Sequence, residues 1–215
     1  LVMETDGSLS LIASKKSNVR NPDDLKGKNI SVSGNTFVEY ATDEVMKRAC
    51  LHPGEVNKPE INNIPLRLMM LEDGQISASF LPGPATAIAL NDGHTALLNT
   101  RQMGLRCTGI VFSEKAITEK DEEIRRFITG YNLGVKYLQT RPQNEWTEIL
   151  VKEFGLQEKA AMQIDLPDYR PATRPSYHDI EKIIAWLKSK GAIPDYYPGE
   201  NLVDTTFIPG TLKPQ

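Results

Sequence analysis

At 215 residues the chain is long for one compact domain and short for two full ones, and 40% apolar with 25% charged residues is an ordinary globular balance that excludes intrinsic disorder. Twenty-five Lys and Arg against 28 Asp and Glu give a net charge of −3, so no basic surplus exists to neutralise a phosphate backbone, and nucleic-acid binding is set aside. No apolar run approaches the ~18–20 residues of a membrane span, and two cysteines, Cys50 and Cys107, exclude a disulfide-rich scaffold and an all-cysteine zinc site.

The chain opens Leu-Val-Met-Glu-Thr-Asp-Gly, with neither an initiator methionine nor the basic region and apolar core of a signal peptide, and reads as a chain entered partway along. Leu9 to Ser14 alternates and predicts a strand. Pro22 to Lys28 is a turn-rich approach to a second, Ile30 to Ser33. Val38, Ala41, Val45 and Ala49 then recur at helical spacing, and Thr36-Phe37-Val38-Glu39 has the form of a capping box. Val56 to Ile61 predicts another strand. Asn63, Pro65 and Gly74 mark the cap, first turn and stop of a helix that turns Leu68 and Leu71 inward.

Ile76 to Leu81 predicts a strand, Pro84 to Asn91 a helix closed by Gly93, and Thr95 to Leu98 a further strand. Residues 28–100 therefore read as strands alternating with helices, the pattern of a small α/β sheet with crossover helices. Thr108 to Phe112 predicts one more strand. Beyond it the chain is helical: Ile124, Phe127, Ile128, Tyr131, Val135 and Leu138 mark one long helix, and Trp146, Ile149, Leu150 and Phe154 a second. After a proline-rich crossing, Ser176-Tyr177-His178-Asp179 caps a third with Ile180, Ile183, Ile184 and Leu187 inward. These C-terminal helices need a sheet to cover, which a preceding segment would supply.

His52, His94 and His178 lie far apart in no metal-ligand spacing, with His52 and His94 placed as turn residues. No nucleophile elbow, phosphate loop or dinucleotide fingerprint is present, and neither cysteine has a histidine neighbour. Two strand-to-helix turns stand out instead. Ser33-Gly34-Asn35-Thr36-Phe37 follows one strand and Leu81-Pro82-Gly83-Pro84 another, at the same expected edge of the sheet, where α/β proteins bind ligands. The competing structural readings are that Thr36 only caps its helix and that the second turn is only a rigid loop. Arg67, in the first turn of its helix, either points to this edge or lies on the surface pairing with Glu60 or Glu72.

The residues Asn21 to Ser33, Asn35 to Tyr40, Ile64 to Ile76 and Val111 to Lys115 together resemble the solute-binding proteins of bacterial ABC importers. The resemblance is to the branch for nitrate, alkanesulfonates, taurine and thiamine-pyrimidine precursors, which is similar to the fungal pyrimidine-synthase family. It covers most of residues 9–190. It implies a type II periplasmic-binding-protein-like α/β fold: two lobes joined by two crossing strands, the ligand held between them, with residues 14–106 the complete second lobe and 1–13 with 107–215 part of an incomplete first. It also implies a small-molecule solute, an ABC permease as membrane partner, no cofactor and no metal. The expected protein is a monomer when full length, periplasmic or extracellular, with an export signal or lipid anchor ahead of Leu1.

On this resemblance Ser33, Gly34, Asn35, Thr36, Phe37, Tyr40, Arg67, Pro82, Gly83 and Thr108 are the expected ligand-binding residues and none is catalytic. Gly83-Pro84 stands where the family often has Glu-Pro, and Ser77 where it often has Asp. An enzyme of pyrimidine-synthase type is the alternative. It needs a cysteine-rich segment with a histidine, and this chain has only Cys50 and Cys107.

Overall fold

The computed structural model describes residues 8–106, 108–155, 157–162, 166–197 and 199–208. Strand β1 (Leu9–Ala13) forms where Leu9, Leu11, Ile12 and Ala13 are all buried. It runs through the middle of a sheet ordered β2 (Ile30–Ser31), β3 (Ala78–Pro82), β1, β4 (Thr95–Asn99). β2 is parallel to β3, whereas β1 is antiparallel to both β3 and β4, so the sheet is mixed. Leu11 pairs with Phe80 on one side and Leu98 on the other.

Three helices connect these strands. α1 (Phe37–Arg48) buries Ala41 and Val45 as its spacing predicts. α2 (Ile64–Asp73) starts at Asn63, whose Oδ1 accepts the Leu66 N–H at 2.9 Å, and stops at Gly74 in the left-handed conformation, φ +75°. α3 (Gly83–Asn91) packs Ala85 and Ala89 with Ile12, Leu71, Ile76 and Leu81 in one apolar cluster.

The strand expected over 56–61 forms only two isolated parallel bridges, Asn29 with Asn57 and Val32 with Glu60. Ile30 N–H donates to the Asn57 carbonyl, Val32 N–H to Pro59 and Ile61 N–H to Val32, at 2.8–3.0 Å. The missing rung falls at Pro59, which has no N–H to give. Residues 57–61 thus run beside β2 as an incomplete edge strand.

The described residues within 7–105, together with Leu166, form one compact unit, and the remainder from 106 onward form a second. β1 lies inside the first unit, although the boundary expected at residue 14 assigned it to the other lobe. The second unit is helical: α4 (Glu114–Glu119), α5 (Asp121–Thr140), α6 (Gln143–Phe154), α7 (Glu158–Met162) and α8 (Tyr177–Ser189). Ile124 and Ile128 of α5 pack with Ala172, Phe207 and Ile208. The strand expected over 108–112 does not form: beyond a single bridge at Thr108 the segment has no ladder, Ile110 and Phe112 packing on that cluster and Val111 74% exposed.

Candidate functional site

Because β2 and β3 are parallel, both strands end at the same edge, and the turn after each opens a helix there. The turn after β2 is held from several directions. Thr36 Oγ donates to the Ser33 carbonyl at 2.8 Å and accepts the Val38 N–H at 3.3 Å, capping α1. Asn35 sits at φ +55°, in the left-handed region that asparagine tolerates. Its N–H donates to Glu39 Oε2 at 2.8 Å, so the Glu half of the expected capping box reaches one residue further back than the cap itself. Glu39 is 6% exposed, and Lys58 reaches it at 3.1 Å and Asp43 at 2.7 Å. Burial works to lower the Lys58 pKa, but its hydrogen bonds and charge attraction to Asp43 and Glu39 outweigh that and hold it above its ordinary value.

The turn after β3 is different in kind. Pro82 precedes α3 and offers no side-chain cap, and Pro84 has no N–H, while Thr86 Oγ donates back to the Leu81 carbonyl at 3.0 Å.

Arg67 ties the turn after β2 to the body of β3. It is 2% exposed, which overturns the surface reading, and it pairs with neither Glu60 nor Glu72. Nε donates to the Ile61 carbonyl at 2.6 Å, Nη1 to the Phe80 carbonyl at 3.3 Å, and Nη2 to Ser33 Oγ. All three acceptors are neutral, and no carboxylate of the described residues lies within ion-pair distance. A guanidinium carries five N–H donors, so this buried cation has donors to spare and no counter-charge. Burial pushes its pKa below the ordinary arginine value.

Glu72 instead meets Lys15 at 2.7 Å and lies 3.1 Å from His94 Nε2. His94 is buried rather than a free turn residue, and its Nδ1 accepts the Lys15 N–H at 3.1 Å.

Of the expected residues, Ser33 and Arg67 are in direct contact, and Pro82 and Gly83 share their edge of the sheet. Asn35 and Thr36 are exposed, Gly34 and Phe37 half-buried. Tyr40 is 4% exposed on the core face of α1, and Thr108 belongs to the other unit. Sequence reasoning named Glu39 only as the carboxylate of a capping box and Glu60 only as a surface partner of Arg67; the Glu60 carboxylate instead lies 3.1 Å from the position of a Cβ on Gly34. The signal that put Glu60 at this edge was its place at the end of a strand neighbouring β2. Among the described residues no group of three His, Cys, Asp or Glu side chains is placed to hold a metal.

Residues 6–145 match the family model described as NMT1/THI5 like. The chain belongs to the NMT1/THI5-like family. No curated protein sequence matches it. Among solved structures, this family member is similar to the periplasmic aliphatic sulphonate binding protein SsuA from Escherichia coli, with TM-score 0.72 and 12% identity over 94% of this chain and 68% of that one. The alkanesulfonate-binding protein SsuA from Xanthomonas axonopodis pv. citri, bound to MOPS, gives TM-score 0.69 and 16% identity over 95% and 69%. The desulfurization enzyme DSZB gives TM-score 0.66 and 11% identity over 96% and 76%. At these identities the likeness is one of fold: a type II periplasmic-binding-protein-like α/β architecture, used by binding proteins and by an enzyme.

Proposed function

We propose that the protein is the extracytoplasmic solute-binding component of an ABC importer and that it captures a small anionic solute at the edge formed by Ser33–Phe37, Arg67 and Pro82–Gly83. The observation that carries this reading is Arg67, a buried guanidinium bonded only to neutral oxygens. Burying a charge without a partner is costly, and a sulfonate or carboxylate accepting its remaining N–H groups would supply the counter-charge through paired, charge-assisted hydrogen bonds. The sulfonate-binding neighbours of the same fold support the class of ligand, and delivery to a membrane permease completes the role. Within the class, an alkanesulfonate fits the donor set better than a thiamine-pyrimidine precursor, because a sulfonate spreads a full charge over three acceptor oxygens that a fork of N–H donors can grip.

The enzyme reading has the DSZB fold behind it. It needs a nucleophile at the site, and Cys50 follows the far end of α1, about 18 Å from Thr36 at the rise of an α-helix. Cys107 lies outside the described residues.

The test is calorimetric titration with MOPS and with propane-1-sulfonate, using wild type, Arg67→Lys and Arg67→Met, with far-ultraviolet circular dichroism to verify folding. Removing one good charged contact weakens binding by roughly 1.5–3 kcal/mol, about one to two decades in Kd. Arg67→Lys should retain part of the affinity and Arg67→Met little. Folded Arg67→Met that binds within twofold of wild type would leave Arg67 a structural role only.

A further inference from the structure

The turn that opens α1 is braced by a buried charge pair. Glu39 is 6% exposed and both of its oxygens have partners: Oε2 accepts the Asn35 N–H at 2.8 Å, and Oε1 takes Lys58 Nζ at 3.1 Å. Asn35 is the third residue of a four-residue turn closed by the Thr36 N–H on the Ser33 carbonyl at 3.3 Å. It holds φ +55° at the position where such turns favour asparagine or glycine, and the Glu39 bond pins that left-handed amide. Lys58 comes from the incomplete edge strand and also reaches Asp43, one turn along α1, at 2.7 Å. Three residues after Lys58, the Ile61 carbonyl accepts Arg67 Nε. The same short segment therefore holds both halves of the site, the turn through Lys58 and the guanidinium through Ile61.

This brace sets a negative charge against a turn that takes an anion. A carboxylate 2.8 Å from the turn's own amide repels an oxyanion bound there unless a cation offsets it, and Lys58 is that cation. We propose that Glu39 and Lys58 are positioning residues for solute binding: Glu39 holds the Ser33–Phe37 turn in its binding shape, and Lys58 fixes Glu39 and cancels its charge. The proposal rests on the anion site described under Proposed function, and it requires neither residue to touch the solute. It separates two roles that a stabilising ion pair would not separate, because the shape of the turn needs only an acceptor oxygen at residue 39, whereas Lys58 is needed only while that oxygen carries a charge.

The experiment is a double-mutant cycle read by calorimetric titration with propane-1-sulfonate and MOPS. It uses wild type, Glu39→Ala, Glu39→Gln, Lys58→Met and the double variant Glu39→Gln/Lys58→Met, with a thermal melt of each and amide hydrogen exchange of Asn35 followed by NMR without solute. Glu39→Ala should weaken binding about tenfold and speed Asn35 exchange by about as much, the effect of losing a hydrogen bond to a charged acceptor. Glu39→Gln, whose amide oxygen can still accept the Asn35 N–H while Lys58 keeps Asp43, should recover most of both losses. Lys58→Met should weaken binding about fivefold beside Glu39, and less than twofold when combined with Glu39→Gln. Equal losses from Lys58→Met in the two backgrounds, or folded Glu39→Ala binding within twofold of wild type, overturns the proposal; the anion site then still stands if Arg67→Met abolishes binding. Should Glu39→Ala not fold, the Lys58→Met comparison decides alone. Failure of both sulfonates to bind wild type would remove the anion site and the proposal together.

Discussion

Gly74 and Glu72 close α2 by different means, and each makes a prediction. Gly74 holds φ +75°, and a Cβ there would approach the Lys16 side chain to 3.2 Å. Gly74→Ala should cost about 1 kcal/mol of stability in urea unfolding, from the left-handed backbone and the crowding together. The Glu72 carboxyl is held below its usual value first by its hydrogen bond to Lys15, with the nearby charges of Lys15, His94 and Lys16 adding to it. A lowered folded pKa means that the stabilisation is complete above the unfolded value near 4.5 and is lost as pH falls through the folded one. The gap in Tm between wild type and Glu72→Gln should therefore narrow as pH falls from about 5 to about 3. A gap that stayed constant would show that the Lys15 contact contributes nothing in solution.

At the scale of elements, the edge of the sheet depends on how α1 begins. Thr36→Ala removes both the cap on the Val38 N–H and the bond to the Ser33 carbonyl. It should lower stability by ~1 kcal/mol, and because Ser33 also meets Arg67, solute affinity should fall with it. Stability lost with affinity intact would restrict Thr36 to capping. The elements legible in the sequence were those with a start and a stop written in side chains. α2 is the plainest case, with Asn63, Pro65 and Gly74 all in their expected roles. The strand over 56–61 was half legible: its apolar ends are real, but Pro59 removes a rung that periodicity cannot see. The segment 108–112 misled for another reason. An apolar run becomes a strand only where a neighbour is present to pair with it, and among the described residues beyond Thr108 it has none. At the site, Arg67 was visible as a residue of the first turn of α2. Its burial was not, because it depends on three acceptors from three separate segments. Glu60 comes to lie against the turn only because Gly34 has no side chain to bar it.

Across the whole molecule, most of the buried apolar residues belong to the α/β unit, whereas the helical unit leaves Val111, Leu133 and Tyr196 more than 60% exposed. Stability follows buried apolar area, so residues 7–105 produced alone should melt cooperatively, and residues 106–208 alone should unfold over a broad range without a sharp midpoint. A cooperative melt of the second fragment would mean that its small cluster around Ile124 and Phe207 suffices. The placement of β1 has a consequence in time. It lies inside the sheet, yet its partners are the later strands Ala78–Pro82 and Thr95–Asn99, and the Leu9 N–H waits for Thr100 Oγ. Closing loops of that span comes before any of these contacts can form. Folding should therefore be slow beside a helical bundle of equal size, and a newly made chain carries an unpaired apolar strand until the strands Ala78–Pro82 and Thr95–Asn99 have followed.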